Sequence, residues 1–282
     1  MSFTQEKRFA GQTVALIGSA TGLGRAMAMI FAREGARLAL ADVDEEGVGL
    51  VGDAARNVGA EVITRKVDVS KAADVEQFAQ EARTAFGPVH VVCSNAGVNE
   101  CPGPAWALEA TDWQWVMSVN LFGLVNVTKA FLPMMFEQGF GHIVSTASST
   151  SLVSNGGVAA YVASKKANLG YCEALQHDLT AIKSPVKVAI ICPGKIMSEM
   201  PNSARSRPAE LAGRVPNADE LAAMRAFLAD GGLTPEDVAA AAVDGIAAGR
   251  FYILTHPGMA EETLSWAQDV VAGQLAHSAP PI

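Results

Sequence analysis

Short apolar runs alternate with longer amphipathic ones along most of the chain. Residues 13–17 are apolar and end on a glycine, and the Ala- and Met-rich stretch 23–34 has helical periodicity, so a strand, a tight turn and a helix are predicted. The pattern repeats as a strand over 37–41 ending at Asp42, a helix over 44–57, a strand over 61–67, a helix over 72–86 and a strand over 89–93. A long helical stretch over 111–137 is apolar on more than one face, with an interruption expected near Pro133. A strand over 141–146, a helix holding Tyr161 and Lys165, and a strand over 186–192 follow. A further helix starts at Thr234, with Pro235 in its first position, and a last strand covers 250–255. This alternation predicts an α/β fold: a three-layer, doubly wound parallel sheet of about seven strands, with ligands bound beyond the carboxyl ends of the strands.

The whole of 1–282 reads as one domain. Residues 195–232 break the pattern, being rich in Pro, Ser, Arg, Ala and Met, and are expected to form a lid over the ligand end of the sheet, mobile at 202–208. The tail 256–282 is expected to be helical over 261–276 and loose from Ser278.

With 282 residues, half of them apolar, the chain can bury a large core. A net charge of −8 without a run of Lys or Arg argues against nucleic acid or an anionic membrane as partner. No signal-peptide core precedes residue 13 and no membrane-spanning stretch is expected, which gives a cytoplasmic reading. Cys93, Cys101, Cys172 and Cys192 lie far apart, as do the five histidines, so neither a disulfide framework nor a metal site is expected.

Within this frame a few residues carry chemistry. Glycines at 18, 22 and 24 in the first strand-to-helix turn let the backbone turn sharply and let a phosphate approach the helix start, although an ordinary glycine-rich turn looks the same. About twenty residues on, Asp42 can accept hydrogen bonds from a ribose diol, and it repels a 2′-phosphate. Neither Val43 nor Ser19-Ala20-Thr21 supplies a cation for one, so NAD is favoured over NADP; Asp44 is the better candidate for the N-cap that follows. Asp68 ends the third strand, with Ser70 a competing helix cap. Tyr161 and Lys165, four residues apart on one helix, share a face, and an ammonium beside a phenol favours the phenolate. Alone, that spacing also occurs on solvated helix surfaces.

Together these stretches resemble the short-chain dehydrogenase/reductase family from residue 9 to about 255. The family's glycine turn TGxxxGxG appears with Ile17 in place of its threonine, and its NNAG appears as Ser94-Asn95-Ala96-Gly97. The resemblance implies catalytic roles for Asn120, Ser148, Tyr161 and Lys165, the interval of thirteen from Ser148 to Tyr161 matching the family's usual gap. Tyr161 would act as general base, Ser148 would hold the substrate oxygen, Lys165 the nicotinamide ribose, and Asn120 a water leading to solvent. Cofactor contacts are implied for Gly18, Thr21, Gly22, Leu23, Gly24, Asp42, Asp68, Val69, Asn95, Ala96, Gly97, Tyr161, Lys165, Pro193, Gly194, Ile196 and Ser198. Candidate substrate contacts are Val98, Asn99, Ser149, Val153, Ser154, Met197 and Met200, with Trp106 beside them. This set suits a hydrophobic secondary alcohol or ketone, while Arg205 and Arg207 leave an anionic substrate open. A homodimer or homotetramer built through the helices bearing Asn120 and Tyr161 is implied as well. An NADP-dependent ketone reductase and a non-catalytic NAD-binding sensor are the competing readings.

Overall fold

The structure, a computed structural model, describes residues 7–275. Seven strands form one sheet: β1 (Thr13–Ile17), β2 (Arg37–Asp42), β3 (Val62–Lys66), β4 (Val91–Ser94), β5 (His142–Thr146), β6 (Lys187–Cys192) and β7 (Tyr252–Leu254). Their spatial order is β3-β2-β1-β4-β5-β6-β7, and every neighbouring pair is parallel. The order reverses direction between β1 and β4, and at such a reversal the flanking connections leave on opposite faces and open a crevice.

Nine α-helices are described: α1 (Gly22–Arg33), α2 (Glu45–Asn57), α3 (Ala72–Phe86), α4 (Ala110–Met117), α5 (Gly123–Gln138), α6 (Ala159–Ala181), α7 (Ala218–Ala229), α8 (Pro235–Ala247) and α9 (Met259–Val271). Met27 and Phe31 of α1, Val48 and Val51 of α2, and Val238 and Val243 of α8 are buried in one core layer. Phe78 of α3, Phe131 and Met135 of α5 and Cys172 of α6 belong to the other, where Phe78 meets Phe131 edge-on at 6.2 Å. The central strands β1 and β4 are buried along their whole length, as expected where both faces of a sheet are covered.

The caps agree with the residues that supply them. The Asp44 carboxylate accepts from the Gly47 amide at 2.9 Å and opens α2, while Thr234 accepts from the Asp237 amide at 3.1 Å and opens α8. Ser70 does not cap α3: its hydroxyl donates to Asp68 at 2.6 Å, and Lys71 stands at the cap without a side-chain bond.

Three sequence expectations change. Pro133 does not interrupt α5: the proline and the residue one turn before it, Lys129, both lie on the exposed side of the helix. The break falls earlier, in a π-helical turn over Ser118–Phe122 that joins α4 to α5. The resulting run Ala110–Gln138, 29 residues, is long and apolar enough by composition to cross a membrane, contrary to expectation, and its residues Phe131, Met134 and Met135 are buried against the sheet. The stretch 202–208 is tied down, with Arg205 Nη1 donating to the carbonyls of Glu199 and Asn202, and Ser203 Oγ to Asn99 Oδ1 at 2.9 Å. The tail helix begins at Met259, and residues 276–282 lie outside the described residues.

Candidate active site

A cavity of about 860 Å³ opens over the carboxyl ends of the strands, within the size range of small-molecule and cofactor sites. At its floor the turn after β1 uses two left-handed glycines, Gly18 (φ +86°) and Gly22 (φ +53°). Gly18, Thr21, Gly22 and Leu23 line the cavity. Gly24 does not; it packs inward, where a Cβ would lie 1.9 Å from the Gly18 carbonyl and 2.6 Å from Asn95 Nδ2. Helix α1 starts with Thr21 at its cap, no side-chain bond to its amides and no acidic residue in its first turn, so its positive end is turned to the cavity.

Asp42 closes β2. Its carboxylate accepts from the amides of Ala20 at 2.9 Å and Asp44 at 3.0 Å, which fixes it at the cavity wall with lone pairs left over. Burial pushes its carboxyl above the ordinary range and the two amides oppose that shift. Asp68 and Val69 line the wall beyond β3, where Asp68 is engaged by Ser70 and by Lys71 at 3.3 Å. Asn95 joins three strand ends, donating to the Gly18 carbonyl at 2.7 Å and accepting from the Thr146 hydroxyl at 3.0 Å. The Ser94 ladder contacts to Ile17 and Ser145 are intact beside it. Ala96, Gly97, Pro193, Gly194, Ile196 and Ser198 complete the lining on this side. An acceptor-only carboxylate, a positive helix terminus over a glycine turn, and a buried ammonium at the far end suit an adenine dinucleotide.

At the far end stand Ser148, Tyr161 and Lys165. The Ser148 hydroxyl accepts from the Thr150 amide at 3.2 Å and stands where it favours the ionised form of the Tyr161 phenol. Lys165, 2% exposed, donates to the Thr146 carbonyl at 2.8 Å, with Nζ 5.6 Å from the centre of the Tyr161 ring. Gly97 makes room for it, since a Cβ there would lie 3.2 Å from Nζ. Burial lowers the ammonium to about 8. The Tyr161 phenol is pushed up: burial disfavours the phenolate more than the Ser148 hydroxyl favours it, and the Glu100 carboxylate adds to the rise. The expectation that the Lys165 ammonium pulls the phenol down does not hold within the chain, because desolvation of the phenol dominates and the ammonium is bonded to a carbonyl rather than to the phenol oxygen.

Asn120 does not line the cavity. It sits in the π-helical turn, where its side chain accepts from the Val98 amide at 2.8 Å and donates to the Val98 carbonyl and to Ser164 Oγ, both at 2.9 Å. Of the candidate substrate contacts, Val98 and Met200 line the cavity, whereas Asn99, Ser149, Val153, Ser154 and Met197 do not. Asn99 is held by Ser203, Ser149 donates to the Pro193 carbonyl, Met197 is 41% exposed and Trp106 is 90% exposed. Their places are taken by Trp115 and Val119 from the 110–138 helical run, and by Leu211 and Leu228 from the segment 195–232. The spacing of Trp115 and Val119 puts them on one helix face and could have marked them; nothing local marks Leu211.

Segment 195–232 forms one wall of the cavity. It is fastened by Arg207, whose Nη1 meets Asp112 Oδ1 at 2.6 Å with both side chains buried, and whose guanidinium lies 4.9 Å over the Trp115 ring. A Cβ on Gly213 would fall 2.4 Å from Arg207 Nη2, so the guanidinium is held between an indole and a glycine. Arg207 also lines the cavity, with Nη1 committed to Asp112 and Nη2 buried without a hydrogen-bond partner among the described residues. Arg205 also lines the cavity, and its charge acts on Asp42.

Sequence and structure comparisons agree with this geometry. The family model for short chain dehydrogenases matches residues 12–209. The CLA biosynthesis dehydrogenase/reductase of Lactiplantibacillus plantarum is 30% identical over 89% of this chain and 90% of that protein. The 1-deoxy-11-beta-hydroxypentalenate dehydrogenase of Streptomyces avermitilis is 31% identical over 86% of this chain and 84% of that protein. The crystal structure of a short chain dehydrogenase/reductase from Burkholderia phymatum in complex with NAD superposes with a TM-score of 0.90 at 35% identity, covering 98% of this chain and 99% of that one. The chain belongs to the short-chain dehydrogenase/reductase family of oxidoreductases.

Proposed function

We propose that the protein is an NAD-dependent dehydrogenase that interconverts a hydrophobic secondary alcohol and its ketone, with Tyr161 as the proton-transfer group. The observation that carries this reading is the convergence of Ser148, Tyr161 and Lys165 at one end of a cavity whose other end holds Asp42. Asp42 would accept from the adenosine ribose hydroxyls, and the α1 terminus with Gly18 and Gly22 would face the pyrophosphate. When bound, NAD supplies the hydride acceptor and a positive nicotinamide ring. The Ser148 hydroxyl donates to the substrate oxygen and holds it against the Tyr161 oxygen. Tyr161 takes the hydroxyl proton as the carbon gives up its hydride, and returns it when a ketone is reduced. Lys165 places a buried cation beside the phenol and within reach of the nicotinamide ribose, where it offsets the penalty that burial imposes on the phenolate.

The substrate end is lined by Val98, Trp115, Val119, Met200, Leu211 and Leu228, which supports an apolar alcohol. The relative whose name specifies dehydrogenation of a hydroxypentalenate supports oxidation of a hydroxyl-bearing compound. Exposed Trp113 and Phe122, on and next to α4, support assembly into a homodimer or homotetramer. One observation favours a second reading with NADP: Arg205, reaching the cavity from segment 195–232, is the cation that the glycine turn lacks. Incubation of the purified protein with NAD or NADP and a panel of apolar secondary alcohols, following reduced nicotinamide, separates the two. Turnover with NAD supports the proposal, turnover with NADP alone supports the second reading, and binding without turnover over the panel supports a sensor.

A further inference from the structure

Helix α6, which carries Tyr161 and Lys165, has no cap of its own. Val158 stands at its N-cap position and offers no side-chain acceptor to the first-turn amides. Those amides are met from elsewhere in the chain. Glu100 lies sixty residues earlier, in the loop after Gly97, and is 1% exposed. Its Oε1 accepts from the Ala160 amide at 2.8 Å, and its Oε2 accepts from the Tyr161 amide at 3.1 Å. The same loop is bound to the approach to α6 by the Gly103 amide, which donates to the Gly157 carbonyl at 2.9 Å.

A carboxylate stabilises a helix N-terminus because it completes orphan amides and faces the positive end of the helix dipole. Glutamate this deeply buried is uncommon unless it is paired, and no cation is bonded to Glu100 among the described residues. Its partners are the backbone amides of α6, one of them belonging to Tyr161 itself. The charged and titratable groups around the pair are Asp112 on α4, which faces Glu100 and is bonded to Arg207 of segment 195–232; Cys101 beside it in the loop; the paired Arg214 and Glu220, which act on Cys101, Arg214 also donating to the Pro102 carbonyl of the same loop; and Lys165 and the Tyr161 phenol on α6.

The geometry points to Glu100 as a positioning residue for Tyr161: its buried carboxylate fixes the backbone from which the phenol projects and, as an anion, opposes ionisation of that phenol. The inference rests on the reading of Tyr161 as the proton-transfer group. Glu100 does not itself line the cavity and is bonded to the backbone of Tyr161 rather than to its phenol, so it acts through the helix and through its charge. The Glu100 charge bears on the phenol in favour of its neutral form, and the pH at which Tyr161 becomes a base reflects it. Glu100→Gln removes the charge and keeps one acceptor oxygen, which in the Oε1 position lies 2.8 Å from the Ala160 amide and 3.4 Å from the Tyr161 amide, whereas Glu100→Leu removes both charge and acceptor.

The test reads Tyr161 directly in the cofactor-free protein. With tyrosines only at 161, 171 and 252, the ζ-carbon NMR resonances of labelled tyrosine can be assigned with Tyr161→Phe and followed against pH. Glu100→Gln is expected to melt as the parent does and to bring the Tyr161 ionisation down by about half a unit or more, the size of effect a nearby like charge exerts. A Tyr161 titration that coincides with the parent's overturns the inference. Glu100→Leu is expected to lower kcat by about tenfold or more with the Kd for NAD unchanged, because a displaced general base loses alignment before it loses cofactor affinity. Parent-level kcat in a folded Glu100→Leu overturns it as well. Because the NMR titration requires no turnover, its failure is distinct from failure of the catalytic reading, which shows instead as activity retained by Tyr161→Phe.

Discussion

Asn120 clasps the backbone of Val98: its side chain accepts from the Val98 amide at 2.8 Å and donates to the Val98 carbonyl at 2.9 Å. One asparagine thus joins the π-helical turn to the loop that carries Gly97 along the cavity wall. Its second amide hydrogen goes to Ser164, whose own hydroxyl donates to the Tyr161 carbonyl at 2.7 Å. Both side-chain donors of Asn120 are therefore used within the protein, which makes the residue a clamp between the loop and the Tyr161 helix.

Asn120→Ala should expose this role as instability. It strands two buried backbone groups, for a cost of about 3 kcal/mol, or roughly 5–10 °C in Tm for a domain of this size. Thermal unfolding of the two proteins checks it, and equal melting temperatures would show that the loop is held by other contacts.

Asp42→Ala should narrow the preference for NAD over NADP. Loss of a hydrogen bond to a charged acceptor corresponds to a weakening of NAD binding of about tenfold to a hundredfold, whereas NADP is freed from repulsion and gains the company of Arg205. Binding titrations with both cofactors measure the ratio, and an unchanged ratio removes Asp42 from the cofactor contacts.

The Arg207–Asp112 pair should show the asymmetry of buried charge. Arg207→Met leaves Asp112 buried and uncompensated, at about 3–5 kcal/mol, whereas Arg207→Met combined with Asp112→Leu recovers most of that loss. Denaturant unfolding of the singles and the double completes the cycle. Additive losses would mean that the pair does not fasten segment 195–232 to α4.

Lys165 gives a pH dependence of definite sign. Its ammonium sits at about 8 in the folded protein against an ordinary 10.5. Between those values the unfolded chain binds the proton that the folded chain has released, so stability contributed by this group rises as pH rises from about 8 to 10.5. The parent should therefore gain on Lys165→Met across that window. Urea unfolding of both proteins at the two ends of the window measures the gain, and a constant difference would place the ammonium in contact with solvent.

Much of this was legible in the chain. Strands such as Thr13–Ile17, and the division of labour between Asp42 and Asp44, follow from local pattern and spacing, because a cap or a strand end is decided within a few residues. The convergence of Ser148, Tyr161 and Lys165 on one cavity was legible through the resemblance to the family, and the order of the strands brings the three together. What escaped depends on partners distant in sequence. Glu100 caps a helix sixty residues on, and Arg207 finds Asp112 across ninety-five. The side of α5 on which Pro133 falls decides whether the helix breaks, and that side is set by packing against α3 rather than by the proline. The substrate wall differs from expectation for the same reason: Leu211 and Leu228 reach the cavity from a segment tied to α4 by the distant pair Arg207–Asp112.

The central claim is that Tyr161 moves the proton in a hydride-transfer reaction. Its most direct test is Tyr161→Phe, assayed for NAD binding by titration and for turnover on whichever secondary alcohol the parent oxidises. The account predicts NAD affinity at the parent's level, with turnover lower by roughly a hundredfold or more, the usual share of a general base. Turnover within about tenfold of the parent, below that share, would contradict it.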